Sequence, residues 1–135
     1  LKQINSLKKL LKVLIRTYKI DFKNILGHSD IAPTRKKDPG EKFPWKNLSK
    51  YRLANWHNLN ENKLKKFRLI KLSNKNEKKF LNNLNKIGYC DIKAFNFSHS
   101  KKILTKAFQM RFRQDLINGI IDKECLFISK NLLKS

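Results

Sequence analysis

Between His28 and Gly40 the chain carries Pro33 and the turn pair Pro39-Gly40 within one polar run, Gly27-His28-Ser29-Asp30-Ile31-Ala32-Pro33-Thr34-Arg35-Lys36-Lys37-Asp38-Pro39-Gly40. Proline fixes φ and removes an amide donor, so neither a long helix nor a central strand can run through this stretch. The chain must fold as segments flanking a stiffened loop. That loop offers an imidazole at His28, an ammonium at Lys36 and a carboxylate at Asp38. A catalytic zinc site needs such groups: nitrogen and oxygen ligands held rigidly, and a cation where a transition state becomes anionic. Each residue alone has a plain reading. A histidine ending a strand is ordinarily structural, an aspartate before proline forms turns, and Lys36 is one lysine among many. Their fixed offsets from the prolines make the segment specific.

The flanks set the expected architecture. Leu1, Ile4, Leu7, Leu10, Leu11, Leu14, Ile15 and Tyr18 recur every three or four residues with lysines between them, which predicts an amphipathic helix over residues 2–18. Residues 19–23 connect it to an apolar run, 24–28, read as a short buried strand with His28 at its C-terminal end. A helix feeding a strand that ends in polar chemistry is an α/β pattern, and ligand sites sit at such strand ends. Pro44 suits the first position of a helix over 44–54, with Trp45, Leu48 and Leu53 as its apolar face. The chain then turns polar, with one apolar patch at Phe67, Leu69, Ile70 and Leu72. Beyond it, Phe80, Leu81, Leu84 and Ile87 predict a helix stopped by Gly88. Ile103, Leu104, Ala107, Phe108 and Phe112 predict a second, and Asn118-Gly119 a turn. Asp122 would cap a third helix carrying Leu126, Ile128, Leu132 and Leu133. The expected fold is thus α/β followed by a small all-α three-helix domain, divided as 1–56, a linker at 57–75, and 76–135.

Composition narrows the classes. With 40% hydrophobic and 10% aromatic residues the chain can build a core, so global disorder is excluded. No apolar run approaches the roughly 20 residues that span a bilayer, and residues 1–18 lack the layout of a signal peptide. A net charge of +22 favours polyanionic partners. The excess of lysine over arginine, together with abundant Asn, Ile, Leu and Phe, is equally what AT-rich coding produces. No motif for specific nucleic-acid recognition is present. Cys90 and Cys125 stand in no metal-binding pattern; they read as small core residues or as a disulfide pair.

The loop, followed by Phe43-Pro44-Trp45, resembles the zinc-dependent N-acetylmuramoyl-L-alanine amidases of the AmpD-like type. The likeness extends upstream through Tyr18-Lys19-Ile20 and Ile25-Leu26-Gly27-His28. Downstream, Ile87-Gly88-Tyr89, Ala107-Phe108-Gln109-Met110-Arg111-Phe112-Arg113 and Asn118-Gly119-Ile120-Ile121-Asp122 resemble the C-terminal peptidoglycan-binding domain of one subgroup. The resemblance implies that 1–56 is the C-terminal part of the catalytic α/β domain and 76–135 a peptidoglycan-binding helical domain. It implies hydrolysis of the amide between N-acetylmuramic acid and L-alanine of the stem peptide. It further implies Zn2+ as cofactor, His28 and Asp38 as two of its ligands, and Lys36 as the catalytic lysine facing the developing oxyanion.

The family's first histidine ligand and a glutamate lie upstream of the matching positions. The chain is therefore expected to be the C-terminal portion of an amidase, with weak zinc binding and little activity alone. His57 and His99 are expected to be exposed or helix-flanking rather than substitute ligands. Phe108, Phe112 and Ile121 are expected in the core, while Gln109, Arg111 and Arg113 face either glycan and peptide carboxylates or solvent. Partners would be peptidoglycan or muropeptides, in the bacterial envelope (periplasm, or attached to the outer membrane), with a cytoplasmic location as the alternative. A non-catalytic peptidoglycan-binding adaptor derived from such an amidase is the competing function.

Overall fold

In a computed structural model, residues 2–89 and 97–134 are described, the side chains of 97 and 98 excepted. Among the described residues the helices are α1 (Lys2–Tyr18), α2 (His28–Ile31), α3 (Trp45–Ser49), α4 (Glu61–Leu64), α5 (Asn74–Ile87), α6 (Phe97–Phe112) and α7 (Lys123–Leu132). Two single 3-10 turns accompany them, Phe22–Asn24 and Lys65–Phe67. No described helix is long and apolar enough to cross a membrane.

No strand occurs among the described residues, and Lys71 and Asp122 form only an isolated antiparallel bridge. The expected α/β class is therefore corrected to all-helical. The strand expected at 24–28 fails because its amides are satisfied locally, where a strand would offer them to a ladder. Asn24 N–H donates to the Asp21 carbonyl at 2.8 Å and Ile25 N–H to that of Phe22 at 3.3 Å. Gly27 N–H donates to the Asp30 carboxylate at 2.8 Å. His28 consequently opens a helix instead of ending a strand.

The chain folds as two compact units. The first comprises Leu1–Leu26 and Phe43–Trp56. Its core is Trp45, Leu48, Leu53 and Ala54, against which Leu7, Leu11 and Ile15 of α1 pack with Ile25, Phe43 and Trp56. Leu7, Leu11 and Ile15 are spaced by four, one stripe along a helix. The lysines between them stay outside, and the Lys8 ammonium sits over the Tyr51 ring at 4.0 Å. α3 is shorter than the expected 44–54. Pro44 is its N-cap residue, and the chain leaves it through Arg52, at φ +55°.

The second unit comprises Gly27–Lys42 and His57–Ser135. Phe80 and Leu84 of α5, Phe108 of α6, and Cys125 and Ile128 of α7 are fully buried at its centre. The Phe80 and Phe108 rings meet edge to face, 5.2 Å apart, a favourable arrangement of ring quadrupoles. Ser73 caps the start of α5, and Gly88 ends it at φ +109° with its N–H on the Leu84 and Asn85 carbonyls. Asp122 caps α7 by accepting Cys125 N–H at 3.0 Å.

A network of charges closes the unit. Arg113 donates to Asp122 at 2.5 Å and to Glu124 at 3.3 Å. Arg68 donates to Glu124 at 2.7 and 2.9 Å and to both Asp115 oxygens at 2.9 and 3.0 Å. Leu69 N–H donates to the same Asp122 oxygen, Oδ2, at 3.0 Å. The segment around Arg68 is thereby tied to the start of α7, and Leu64 and Leu72 on either side are buried.

Candidate metal and catalytic site

His28, Lys36 and Asp38 all lie in the second unit, on one closed loop. Gly27 is an extended N-cap with no side chain to offer, so the Asp30 carboxylate at the third helical position takes its amide. This is one half of a capping box. Ala32 N–H closes α2 on the His28 carbonyl at 2.8 Å. Arg35 and Lys36 N–H groups then fold back on the Ala32 carbonyl at 3.0 and 2.9 Å. Finally Ser29 N–H donates to the Asp38 carbonyl at 2.9 Å, which seats Asp38 beside His28. The Asp38-Pro39 peptide is cis, and Gly40 follows at φ +87°.

The result is a side-chain hydrogen bond between His28 Nδ1 and Asp38 Oδ2. Both side chains are open to solvent, at 69% and 56% exposure. The bond from His28, with the charges of His28 and Lys36 adding to it, holds the Asp38 carboxyl below its usual range. Lys36 is exposed, and its charge is felt at the pair.

Beneath the open pair lies a buried one. Asp30 is 6% and Arg111 2% exposed. Arg111 Nη1 donates to Asp30 Oδ2 at 2.7 Å, and the Tyr89 hydroxyl to Oδ1 at 2.8 Å. Burial, reinforced by the Asp30 charge, pushes the Tyr89 phenol well above its usual value, so it remains a donor. Asp30, Tyr89 and Arg111 thus anchor the loop to the end of α5 and the last turn of α6.

Sequence reasoning missed this anchor. Its local signal was an acid at the third position of a helix whose cap is glycine. Its remote signal was an arginine within the buried stripe Leu104, Ala107, Phe108, Arg111, Phe112. The reading of Gln109, Arg111 and Arg113 as facing glycan or solvent is corrected, since all three are buried. Gln109 spans the Asn118-Gly119 turn, donating to the Ile120 carbonyl at 2.9 Å and accepting Gly119 N–H at 2.8 Å. Phe108, Phe112 and Ile121 are buried as expected.

Among the described residues no three His, Cys, Asp or Glu side chains stand together as a metal-binding group. His57, expected to be exposed or helix-flanking, is buried and outside any helix, and His99 is exposed on α6. Cys125 is buried, which pushes its thiol up to about 12, and Cys90 lies outside the described residues.

Comparison with known proteins bears on this loop and on the whole chain. The sequence model of the family described as N-acetylmuramoyl-L-alanine amidase matches residues 1–41. The N-acetylmuramoyl-L-alanine amidase AmiD of Escherichia coli K12 is 33% identical over 132 residues, which are 98% of this chain and 48% of that protein. The 1,6-anhydro-N-acetylmuramyl-L-alanine amidase AmpD of Haemophilus influenzae is 48% identical over 44 residues, 32% of this chain and 24% of that one. The solved structure of E. coli AmiD, in complex with the substrate anhydro-N-acetylmuramic acid-L-Ala-D-gamma-Glu-L-Lys, superposes with a TM-score of 0.83 at 33% identity, covering 98% of this chain and 51% of that one. AmpDh3 of Pseudomonas aeruginosa, in complex with anhydromuramic pentapeptide, superposes at 0.80 with 31% identity, covering 98% and 52%. The chain spans about half the length of AmiD.

Proposed function

We propose that this chain is part of a zinc-dependent N-acetylmuramoyl-L-alanine amidase, which hydrolyses the amide between N-acetylmuramic acid and L-alanine of the stem peptide. The observation that carries the reading is the side-by-side placement of His28 and Asp38, closed by the Ser29-to-Asp38 backbone bond. It falls on the segment that the amidase family model matches. Peptidoglycan or its muropeptides would be the partner, in the bacterial envelope, with residues 76–135 as the wall-binding part.

The donor chemistry fits zinc. An imidazole nitrogen and a carboxylate oxygen are ligands that zinc takes, and a catalytic site ordinarily draws three from protein. His28 and Asp38 would supply two, both exposed enough for a metal and a substrate to reach. The resemblance would place the family's other histidine ligand and its glutamate upstream of the matching positions. When bound, zinc supplies Lewis acidity toward the amide carbonyl and acidifies a water molecule. The chain's own part is to hold the two ligands in register and to bring the Lys36 ammonium to the same loop. There the ammonium would stabilise the oxyanion that forms when the carbonyl is attacked. Loss of such a donor costs on the order of 100-fold or more in rate.

Zinc titration of the wild type against His28→Ala and Asp38→Ala tests the reading. Weak binding by the wild type is expected, and at least a further tenfold loss in each variant. Zinc affinity that neither substitution changes would remove the assignment. Full muropeptide hydrolysis by the 135-residue chain alone would remove the view that it holds only part of the ligand set. Addition of the family's upstream half, in cis or as a separate chain, is expected to restore activity.

A further inference from the structure

We propose that Asp30, braced by Arg111 and Tyr89, is a positioning residue for His28, so that the ends of α5 and α6 set the geometry of the zinc loop. The inference rests on the reading of His28 and Asp38 as ligands and adds a role that the ligand set does not contain.

α2 has only four residues. A helix of one turn does not persist in water, because nucleation fixes several residues for a single hydrogen bond. His28 receives little help from its own side chain, which is 69% exposed and bonds to an Asp38 that is also open to solvent. What holds its backbone is Asp30, two residues on. Both oxygens of that carboxylate are engaged: Oδ2 by Gly27 N–H at 2.8 Å and Arg111 Nη1 at 2.7 Å, and Oδ1 by the Tyr89 hydroxyl at 2.8 Å. The three donors come from the residue before His28, from the end of α5 and from the last turn of α6. Buried and surrounded by donors, Asp30 is in no position to become a ligand itself.

The choice of a buried ion pair also needs a reason. Apolar residues of similar volume often fill such a place with equal stability, whereas a charged, bidirectional contact fixes one arrangement. Partners that orient a ligand from behind typically control metal affinity by 10- to 100-fold. On this account α5 and α6 have a task besides any wall binding: they are the base on which the His28 turn stands.

The test uses the full chain with Arg111→Met, Arg111→Lys, Asp30→Asn and Tyr89→Phe. Three quantities are read in each: the cooperativity of thermal unfolding, hydrogen exchange at the Gly27 and Ser29 amides, and the Zn2+ dissociation constant with the Co2+ absorption spectrum as a second signature. At temperatures where Arg111→Met is fully folded, its Ser29 amide is expected to exchange at least about tenfold faster and its zinc dissociation constant to rise roughly 10- to 100-fold. Arg111→Lys is expected to restore part of both. A folded Arg111→Met with wild-type Ser29 exchange and wild-type zinc affinity overturns the proposal, as does a lowered melting temperature with neither of those changed. If Arg111→Met does not fold, Tyr89→Phe, which deletes one hydroxyl, decides the matter: wild-type exchange at Ser29 overturns the proposal. Failure of the wild type itself to bind zinc, with His28→Ala indistinguishable from it, removes the ligand reading separately, and the exchange measurements still decide the positioning role.

Discussion

Asp122→Ala is expected to be among the most damaging single substitutions in the second unit, and the structure allows its cost to be built up. The side chain is fully buried and serves three donors: Cys125 N–H at 3.0 Å, Leu69 N–H at 3.0 Å and the Arg113 guanidinium at 2.5 Å. Loss of an aspartate N-cap costs about 1 kcal/mol. Leaving the Leu69 amide without its acceptor, in a part-buried setting, costs roughly another 1 kcal/mol. Removing one partner of a buried charge pair costs about 3–5 kcal/mol. The lower end applies here, because Arg113 keeps Glu124 at 3.3 Å and the Leu116 carbonyl at 3.1 Å. The sum is about 5 kcal/mol, much of the 5–15 kcal/mol that stabilises an ordinary domain. Urea unfolding at neutral pH, followed by circular dichroism, reads it directly. Asp122→Ser, which keeps a capping oxygen for Cys125, should recover about 1 kcal/mol. Combined with Arg113→Met it should lose less than the two single changes added, by about 1–3 kcal/mol, since no charge is then orphaned. A loss below about 2 kcal/mol in Asp122→Ala, or strict additivity in the double variant, would show that the network is not what holds α7 in place.

Acid should weaken the fold through the same groups. Burial pushes Asp122 upward, but the Cys125 and Leu69 amides and Arg113 outweigh it, and its carboxyl sits below the usual range. Burial likewise opposes Arg68 and Lys65 at Asp115, which also ends low. A lowered carboxyl contributes stability that is complete above its unfolded value, about 4, and is lost as pH falls through the folded value. The urea midpoint is therefore expected to hold down to about pH 5 and to fall below it, less steeply in Asp122→Ser. Gly119 and Gly88 give a paired test, read as melting temperatures. Both have positive φ, +75° and +109°, but a Cβ at Gly119 would lie 2.8 Å from Lys102 Cγ and 3.3 Å from the Lys102 carbonyl, whereas at Gly88 it meets nothing. Gly88→Ala should cost about 1–2 kcal/mol for the left-handed backbone, and Gly119→Ala clearly more. The Cys125 thiol, pushed up to about 12 by burial, should resist iodoacetamide in the native chain and react once urea unfolds it, as peptide mapping will show.

The parts of the fold that were legible in the sequence are those fixed by near neighbours. The spacing of Leu7, Leu11 and Ile15 foretells α1, which runs from Lys2 to Tyr18. Gly88 foretells the end of α5, and Asp122 the start of α7, because a left-handed stop and a carboxylate cap act within four residues. The strand at 24–28 was misread for the converse reason. An apolar run becomes a strand only if a ladder takes its amides, and here Asp21, Phe22 and Asp30 take them first. At the site, the bond between His28 and Asp38 follows from a loop only ten residues long. The Asp30 anchor does not, since Tyr89 and Arg111 lie 59 and 81 residues away and carry no local mark of the pairing. For the same reason Gln109 and Arg113 resembled surface residues until the turn at Asn118 and the cap at Asp122 were seen to enclose them.

The interleaving of the two units has a consequence for biosynthesis. Residues 27–42, which interrupt the first unit, belong to the other unit. The partners that fix this loop, Tyr89 and Arg111, are translated long after it. At about 5–20 residues per second, the 73 residues from Asp38 to Arg111 take roughly 4–15 s to synthesise. For that time the His28 loop has only its own short-range bonds, such as Ser29 N–H to the Asp38 carbonyl, to hold it. The loop is made well before the partners that anchor it.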